Sequence, residues 1–385
     1  MSTLLFTEAL HVALLRRARL LRTEDRAEAR QRVLIVIGIV WLPLALFALV
    51  DRLARAEPFA YAFFTDIAAQ ARFLLAVPLL ILADYVVLPR LEAMGRYFAH
   101  SSLLAPSQRP GFEALAASSR RLSGGTWPSA ITCALVYCLV LAVAFLVPAT
   151  DWALWQQSDA HFGLSLTGWW HLLVSMPVLL GLLSTWVWRW LLWVYVLWRL
   201  SRMGMVLLAA HPDRAAGIGF LAASPRVFIP VVFPVAVVVA ATLAHTLLMT
   251  GSTAIGHEGI PLVSVAAVWL IFASPPLLFS RLLIAVHHIG VQEYGELSRR
   301  VGMAFEERWI GATKAIDADT LDRPDFSATT DLYGIASNAL GMRMLLVDYP
   351  TLAALAIATI APFVPLWLAA IPFRELVDHM VNLLV

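Results

Sequence analysis

Lysine is nearly missing from this chain: 27 of its 28 basic residues are arginine, and the exception is Lys314. Lys314 lies between apolar runs, so a retinal Schiff base inside a membrane span is excluded. Cysteine is scarce too, limited to Cys133 and Cys138. Five residues apart on one helix, they point about 140° away from each other. A disulfide between them is excluded, and two ligands are too few for a zinc site. We read them as small buried hydrophobes. No P-loop, HExxH or G-x-S-x-G segment occurs, which removes P-loop nucleotide-driven pumps, zinc proteases of that type and serine hydrolases with a nucleophile elbow. Asp317, Asp319, Asp322 and Asp325 lack the glycine and the closing glutamate of a calcium loop, so they read as a solvated acidic loop. The residues call for no metal and no cofactor.

Charge of either sign is short, at 14% of residues, where a soluble domain has roughly 25%. What fills the chain instead is apolar: 60% of 385 residues are hydrophobic, and the mean hydropathy is +0.77. A soluble fold of this size cannot hide that much apolar surface. A soluble enzyme with a single anchor, a disordered chain and a nucleic-acid-binding domain are all excluded. The expectation is an all-α polytopic membrane helix bundle.

A span needs about 20 apolar residues, and seven stretches qualify: 33–50, 71–88, 127–147, 166–190, 227–249, 261–286 and 349–371. The fourth stays apolar to residue 200. As one helix, 166–200 would be about 52 Å long, well beyond the roughly 30 Å hydrocarbon layer. It must tilt or project. Ala54-Arg55-Ala56 imitates a signal-peptide cleavage site, but the long charged leader before it does not, so span 1 is read as retained.

The positions of the few charges set direction. Segments 1–32, 90–126, 199–226 and 281–345 together hold 23 of the 28 basic residues. They alternate with segments holding only Arg52, Arg55, Arg72 and Arg374, while Arg189 lies within span 4. By the positive-inside rule the N-terminus is expected inside and the C-terminus outside. The layout is then charged N-terminal helices at 1–32, six spans over 33–286, a cytoplasmic region at 287–345, a seventh span at 346–372 and an outer amphipathic tail at 373–385. Seven spans also admit an inverted three-plus-one-plus-three arrangement, although no internal repeat is visible.

Phe6, Leu10, Ala13, Leu14 and Leu21 form an apolar stripe flanked by arginines. It suits an interfacial helix on anionic inner-leaflet lipids, or a helix packed on the protein's own inner face. Trp152 and Trp155 suit an outer aromatic belt, and the five tryptophans from Trp186 to Trp198 an inner one. Helices are expected near 112–122 and 329–346. Besides the bilayer and its anionic lipids, the composition leaves a homo-oligomer open.

Ionisable groups at membrane depth are functional candidates by default, and few exist. Asp84 and Arg189 lie at similar depth, so an ion pair between spans 2 and 4 is expected. His245 sits beside Thr242 and Thr246 in span 5. His287 and His288 close span 6, and with Glu293 and His211 they offer a metal or proton site. Pro230 and Pro234 in span 5, Pro275 and Pro276 in span 6, and Pro362 and Pro365 in span 7 are expected to break three adjacent helices. Broken helices at membrane depth line cavities or are buried in protein, which points to a cavity among spans 5–7. The sharpest local motif is HPDRAAGIGFL, 211–221. His-Pro-Asp is turn chemistry, and Gly217 and Gly219 permit positive φ or close approach. The segment is expected either to place His211, Asp213 and Arg214 at a pore mouth or to be a turn held by an Asp213 cap.

This motif, the long Trp-rich span before it and the 328–350 region together resemble a family of bacterial polytopic inner-membrane proteins with no assigned activity. In that family the motif reads His-Pro-Asp-Arg-Ala-Gly-Gly-Leu-Gly-Phe-Leu; Ala216 and Ile218 depart from it. The resemblance implies a bacterial inner-membrane location and supplies no catalytic residues. Two functions are weighed on the residues themselves. One is a channel or transport-type protein for a small ion or solute, with its path among spans 5–7 and its inner mouth at 211–221. The other is a sensor, assembly factor or scaffold acting through 287–345.

Overall fold

The computed structural model describes residues 5–6, 25–55, 59–146, 148, 152–157, 163–251, 256–257, 259–310 and 325–370. Among these residues the chain is helical, without strands, and seven helices are long and apolar enough to cross a membrane. They are span 1 (Ala27–Asp51), span 2 (Ile67–His100), span 3 (Thr126–Leu146), span 4 (Leu166–Ser201), span 5 (Gly219–Thr250), span 6 (Gly259–Trp309) and span 7 (Tyr349–Leu368). Most of the acidic stretch, most of the N-terminal stripe and the C-terminal tail lie outside the described residues.

Span 2 is the hub. It packs against spans 1, 4 and 5; span 7 packs on span 5, span 6 on span 7, and span 3 on span 4. Its buried side includes Phe73, Val77, Leu80, Ile81, Val87 and Leu91. Span 3, by contrast, packs mainly on span 4 and buries little beyond Val136 and Val140. That explains a correction: Cys133 and Cys138 are exposed rather than buried, because most of span 3 faces away from the bundle. Another concerns the tryptophans. Trp186 and Trp193 are core residues, not belt residues, while Trp198 is exposed.

The expected breaks are only partly present. Pro230 falls in the first turn of the helix Ile229–Thr250, where its missing N–H costs nothing, and Pro234 lies inside a helix that continues past it. Span 5 is therefore not broken. Span 6 does break: its helix stops at Phe272, a tight turn runs from Pro275 to Phe279, and the helix resumes at Ser280. Span 7 tightens likewise at Ala361–Phe363. Between spans 5, 6 and 7 lie two apolar clusters. One joins Val232, Leu355 and Ala358 with Val268 and Phe272; the other joins Ala240, Leu243, Leu247 and Phe363. These interfaces are apolar, and Pro234, Pro275 and Pro276 are buried.

Span 1 kinks at Trp41, just before Pro43. A proline removes the donor for the carbonyl four residues back, here Ile39. Trp170 Nε1 donates to Ile39 O at 3.1 Å, and Ser175 Oγ donates to Val40 O at 2.7 Å. Spans 2 and 4 each contain a π turn, Ala71–Ala76 and His171–Ser175. Span 4 has 36 residues, about 54 Å as a helix, so it overruns the hydrocarbon as its length required.

Two shorter helices lie near the arginine-rich end of the bundle. Arg109–Gly124 buries Phe112, Leu115, Ala116 and Ser119. Asp325–Leu340 starts and ends earlier than expected and pairs with the extension of span 6. Leu5 and Phe6 are buried but not helical, which departs from the predicted stripe. Their N–H groups donate to Glu92 Oε1 at 2.9 and 2.7 Å, and Ser119 Oγ donates to Leu5 O at 2.9 Å.

At the opposite end, the turn Leu154–Gln156 caps the bundle. It is held by Ser165, whose N–H donates to Gln156 O at 2.7 Å and whose Oγ donates to Trp155 O at 2.9 Å. A Cβ on Gly168 would come within 2.6 Å of Gln156 O, whereas one on Gly181 would meet nothing. Gly168→Ala should therefore lower stability by about 1–3 kcal/mol. Gly181→Ala should be neutral or stabilising. Thermal unfolding of the two variants in detergent checks the contrast.

Candidate functional site

Polar side chains in the core gather at two levels of span 2. The first is near the arginine-rich end. Asp84 lies between Arg32 of span 1 and Arg189 of span 4, so the expected Asp84–Arg189 pair forms and gains a third member. Arg32 Nη2 donates to Asp84 Oδ2 at 2.9 Å, and Arg189 Nη1 contacts Oδ1. Arg32 Nη1 also donates to Tyr85 Oη at 3.1 Å, and its guanidinium lies over the Tyr85 ring at 5.5 Å. Arg189 stacks over Trp186 at 4.9 Å. Exposure is 4% for Arg32, 9% for Asp84 and 3% for Arg189. Each carboxylate oxygen thus meets its own guanidinium, and three spans are tied at one depth. Arg32 was counted in the sequence as part of a charged leader. Its role as Asp84's partner was hidden, since only the packing of span 1 brings it there.

The second level is near the opposite end, and the sequence pointed only to His245. Asp66 caps the start of span 2: Oδ1 accepts from Ala69 N–H at 2.9 Å, and Oδ2 accepts from Trp155 Nε1 at 3.0 Å. His245 Nδ1 stands 3.5 Å from Asp66 Oδ1. Gln70 bridges Trp41 Nε1, at 2.7 Å, and Phe63 O, at 2.8 Å. Arg72 donates to Thr242 Oγ1 at 3.3 Å. His171 is buried, with its ring edge-on to Phe73 at 5.7 Å and to Trp155 at 5.1 Å. The two π turns supply Arg72 and His171. Such turns are over-represented at functional sites, but nothing in their sequence marks them.

The 211–221 segment is a tightly hydrogen-bonded turn. Asp213 is its centre: Oδ1 accepts from the N–H of Ala215 at 2.8 Å and of Gly217 at 3.2 Å, and Oδ2 accepts from Gly219 N–H at 2.8 Å. His211 Nδ1 stands 2.8 Å from Oδ1. Arg214, Ala216 and Gly217 take φ of 53°, 56° and 93°, a conformation that the carboxylate–amide bonds hold against its cost. A Cβ on Gly219 would meet Asp213 Oδ2 at 2.8 Å. The turn is pinned from outside by Arg343, which donates from its N–H to Arg214 O at 2.6 Å and from Nη2 to Asp213 O at 3.2 Å. Burial works to raise the Asp213 carboxyl, but the amide bonds and His211 outweigh it and hold the group below the usual carboxylate range.

His287 and His288 have rings 6.1 Å apart, and His287 Nδ1 lies 3.2 Å from Ala339 O. Among the described residues, no three or more of His, Cys, Asp and Glu assemble into a set that could hold a metal ion, so the imagined group of His211, His287, His288 and Glu293 is not brought together. Pro234, Pro275 and Pro276 are buried and Pro230 is half-buried, and the turn that holds Pro275 and Pro276 packs on span 4. The chain finds no match among protein-family models, curated proteins or solved structures.

Replacing Asp84 by Ala takes away the carboxylate that both buried guanidinium groups contact. The expected loss is about 3–5 kcal/mol, read as the fall in unfolding free energy in detergent. Asp213 has the depressed carboxyl, so its contribution is complete above the ordinary aspartate range and is lost as pH falls through its lowered value. Protease cleavage within 211–221 should therefore rise sharply on acidification only below that range. Asp213→Asn should be cleaved readily at every pH.

Proposed function

We propose that this chain is a transport-type protein of a bacterial inner membrane, with its N-terminus inside, and that its path follows span 2 between spans 1, 4 and 5. The observation that carries this reading is the placement of ionisable side chains at membrane depth. Asp66, capping the start of span 2, bonds the turn Leu154–Gln156 and stands beside His245 of span 5, and Arg72 bonds Thr242 of span 5; Asp84 faces spans 1 and 4 near the other end. Hydrocarbon tolerates such groups only at a cost, and they mark ion or substrate pathways more than any other feature. Between Arg72 and Asp84 the span is apolar, FLLAVPLLILA, over a rise of about 18 Å. Two polar levels separated by an apolar plug describe a closed state. The apolar clusters between spans 5 and 7 and at span 6 argue for a path elsewhere.

A specific observation favours a second reading, a scaffold or sensor. The helix Ser280–Trp309 has 30 residues, about 45 Å, and runs well past the bilayer depth of its neighbours. It pairs with Asp325–Leu340, and Phe305, Trp309 and Phe326 cluster with ring centroids 4.7–6.3 Å apart.

Proteoliposomes separate the two. With pH-sensitive and potential-sensitive dyes, the purified chain should move protons or small ions. Arg72→Gln should cut the flux about tenfold or more, the scale of one lost hydrogen bond to a charged group. Asp84→Glu should retain part of it. Absence of flux for protons, alkali cations and small anions alike would sink the transport reading and leave the scaffold.

A further inference from the structure

The two polar levels differ in how well their hydrogen bonds are met. At Asp84 each carboxylate oxygen has a guanidinium partner. At the other level, donors outnumber acceptors. His171 and Thr167 sit four residues apart on span 4, 4% and 1% exposed. The Gln156 amide is oriented by its Oε1, which accepts from Ala153 N–H at 3.2 Å, so its NH2 faces His171 Nδ1 at 2.9 Å. Nδ1 is then the acceptor and the ring proton sits on Nε2. Neither His171 Nε2 nor Thr167 Oγ1 has a hydrogen-bond partner.

Arg72 adds a cation to these orphans. It lies about 9 Å along the helix from Asp66. Of the five N–H donors a guanidinium carries, one is bonded, to Thr242 Oγ1 at 3.3 Å. Arg72 acts electrostatically on His171, and so does Asp66. Asp66 acts electrostatically on Arg72 as well, but its Oδ1 already accepts from Ala69 N–H and its Oδ2 from Trp155 Nε1, and His245 Nδ1, 3.5 Å from Oδ1, makes no hydrogen bond among the described residues. The π turns at 71–76 and 171–175 put Phe73 and His171 in an edge-to-face contact at this level. A buried set of unmet donors beside an under-bonded cation is complementary to an acceptor-rich anion.

We propose that this end of spans 2 and 4 is a binding site for a small oxyanion of carboxylate type. Arg72 supplies the counter-charge, and His171 Nε2–H and the Thr167 hydroxyl supply orienting hydrogen bonds. Trp155 and Gln156, on the capping turn, close the site over the bundle. The site stands whether or not the chain moves solutes, because binding is read without flux.

The full chain, labelled with ¹⁵N-histidine and held in lipid nanodiscs, is titrated with sodium acetate against sodium chloride at constant ionic strength, and then with inorganic phosphate. The His171 Nε2–H resonance, identified by its loss in His171→Asn, should shift saturably with acetate or phosphate and not with chloride. Thr167→Val keeps the shape of the side chain and removes only an unmet hydroxyl, so it should fold as the wild type does. It and Arg72→Gln should each weaken binding about tenfold or more. No saturable shift with either oxyanion would mean that water alone meets these donors, and would overturn the proposal. So would binding that Thr167→Val and Arg72→Gln both leave unchanged, since the anion would then sit elsewhere.

Discussion

Hydrocarbon offers no partner to a charge or a backbone carbonyl that the protein leaves unmet, and the bundle is arranged round that shortage. Asp84 is the clearest case. Alone in an apolar interior it would be neutralised rather than ionised. Flanked by Arg32 and Arg189, it gives each guanidinium an oxygen and takes a cation on each side. The gain is less in energy than in geometry, because desolvating three ions offsets much of their attraction. What the group does is specify. Spans 1, 2 and 4 meet at one depth and one rotation, since sliding any of them leaves a charge without a mate.

The same requirement accounts for the irregular backbone. A helix that kinks or bulges frees carbonyls, and here side chains of neighbouring spans take them up. Trp170 and Ser175 serve the two carbonyls exposed by the bend in span 1. Trp186 Nε1 donates to Leu80 O at 3.1 Å, and Trp188 Nε1 to Leu122 O at 3.1 Å, in the last turn of the helix Arg109–Gly124. Span 4 is rich in tryptophan because an indole is apolar over most of its surface and carries one donor. That combination suits a helix that must fill space and also bond to its neighbours' main chains. The aromatic-belt reading explained the composition of this span by its distance from the bilayer centre. Packing explains Trp186 and Trp188 better.

Architecture was legible in the sequence because it follows from sums over long stretches. Apolar runs set seven spans, and alternation of arginine implied a direction. Asp84 and Arg189 were matched by depth alone, which needs only a helical rise. Asp213 was legible as a turn former because its bonds go to amides two to six residues ahead. What could not be read was anything requiring two spans to be placed side by side. Arg32 looked like one charge among seven in a leader. Asp66, Gln70 and Arg72 looked like the ordinary polar margin of a span, and Trp155 and Gln156 like a loop. The proline argument held for span 6 and failed for span 5 for a related reason: Pro230 and Pro234 appear equivalent in sequence. One begins the helix and the other lies inside it, yet the helix runs on through Pro234, so neither breaks the span.

The two polar levels therefore pose opposite physical problems on one helix. Near Asp84 each carboxylate oxygen is bonded by its own guanidinium, so the arrangement resists change and ligands alike. Near Arg72 a cation keeps most of its donors free, and two buried donors on span 4 point to no protein acceptor. The carbonyls freed by the bend in span 1 are met by span 4, whereas His171 Nε2 and Thr167 Oγ1 on that same span are not. A bound acceptor resolves the imbalance without any change of fold. About 18 Å of apolar helix lies between the levels, and Arg72 shares no hydrogen-bond partner with Asp84, so a ligand at the Arg72 end breaks no contact of the Asp84 lock.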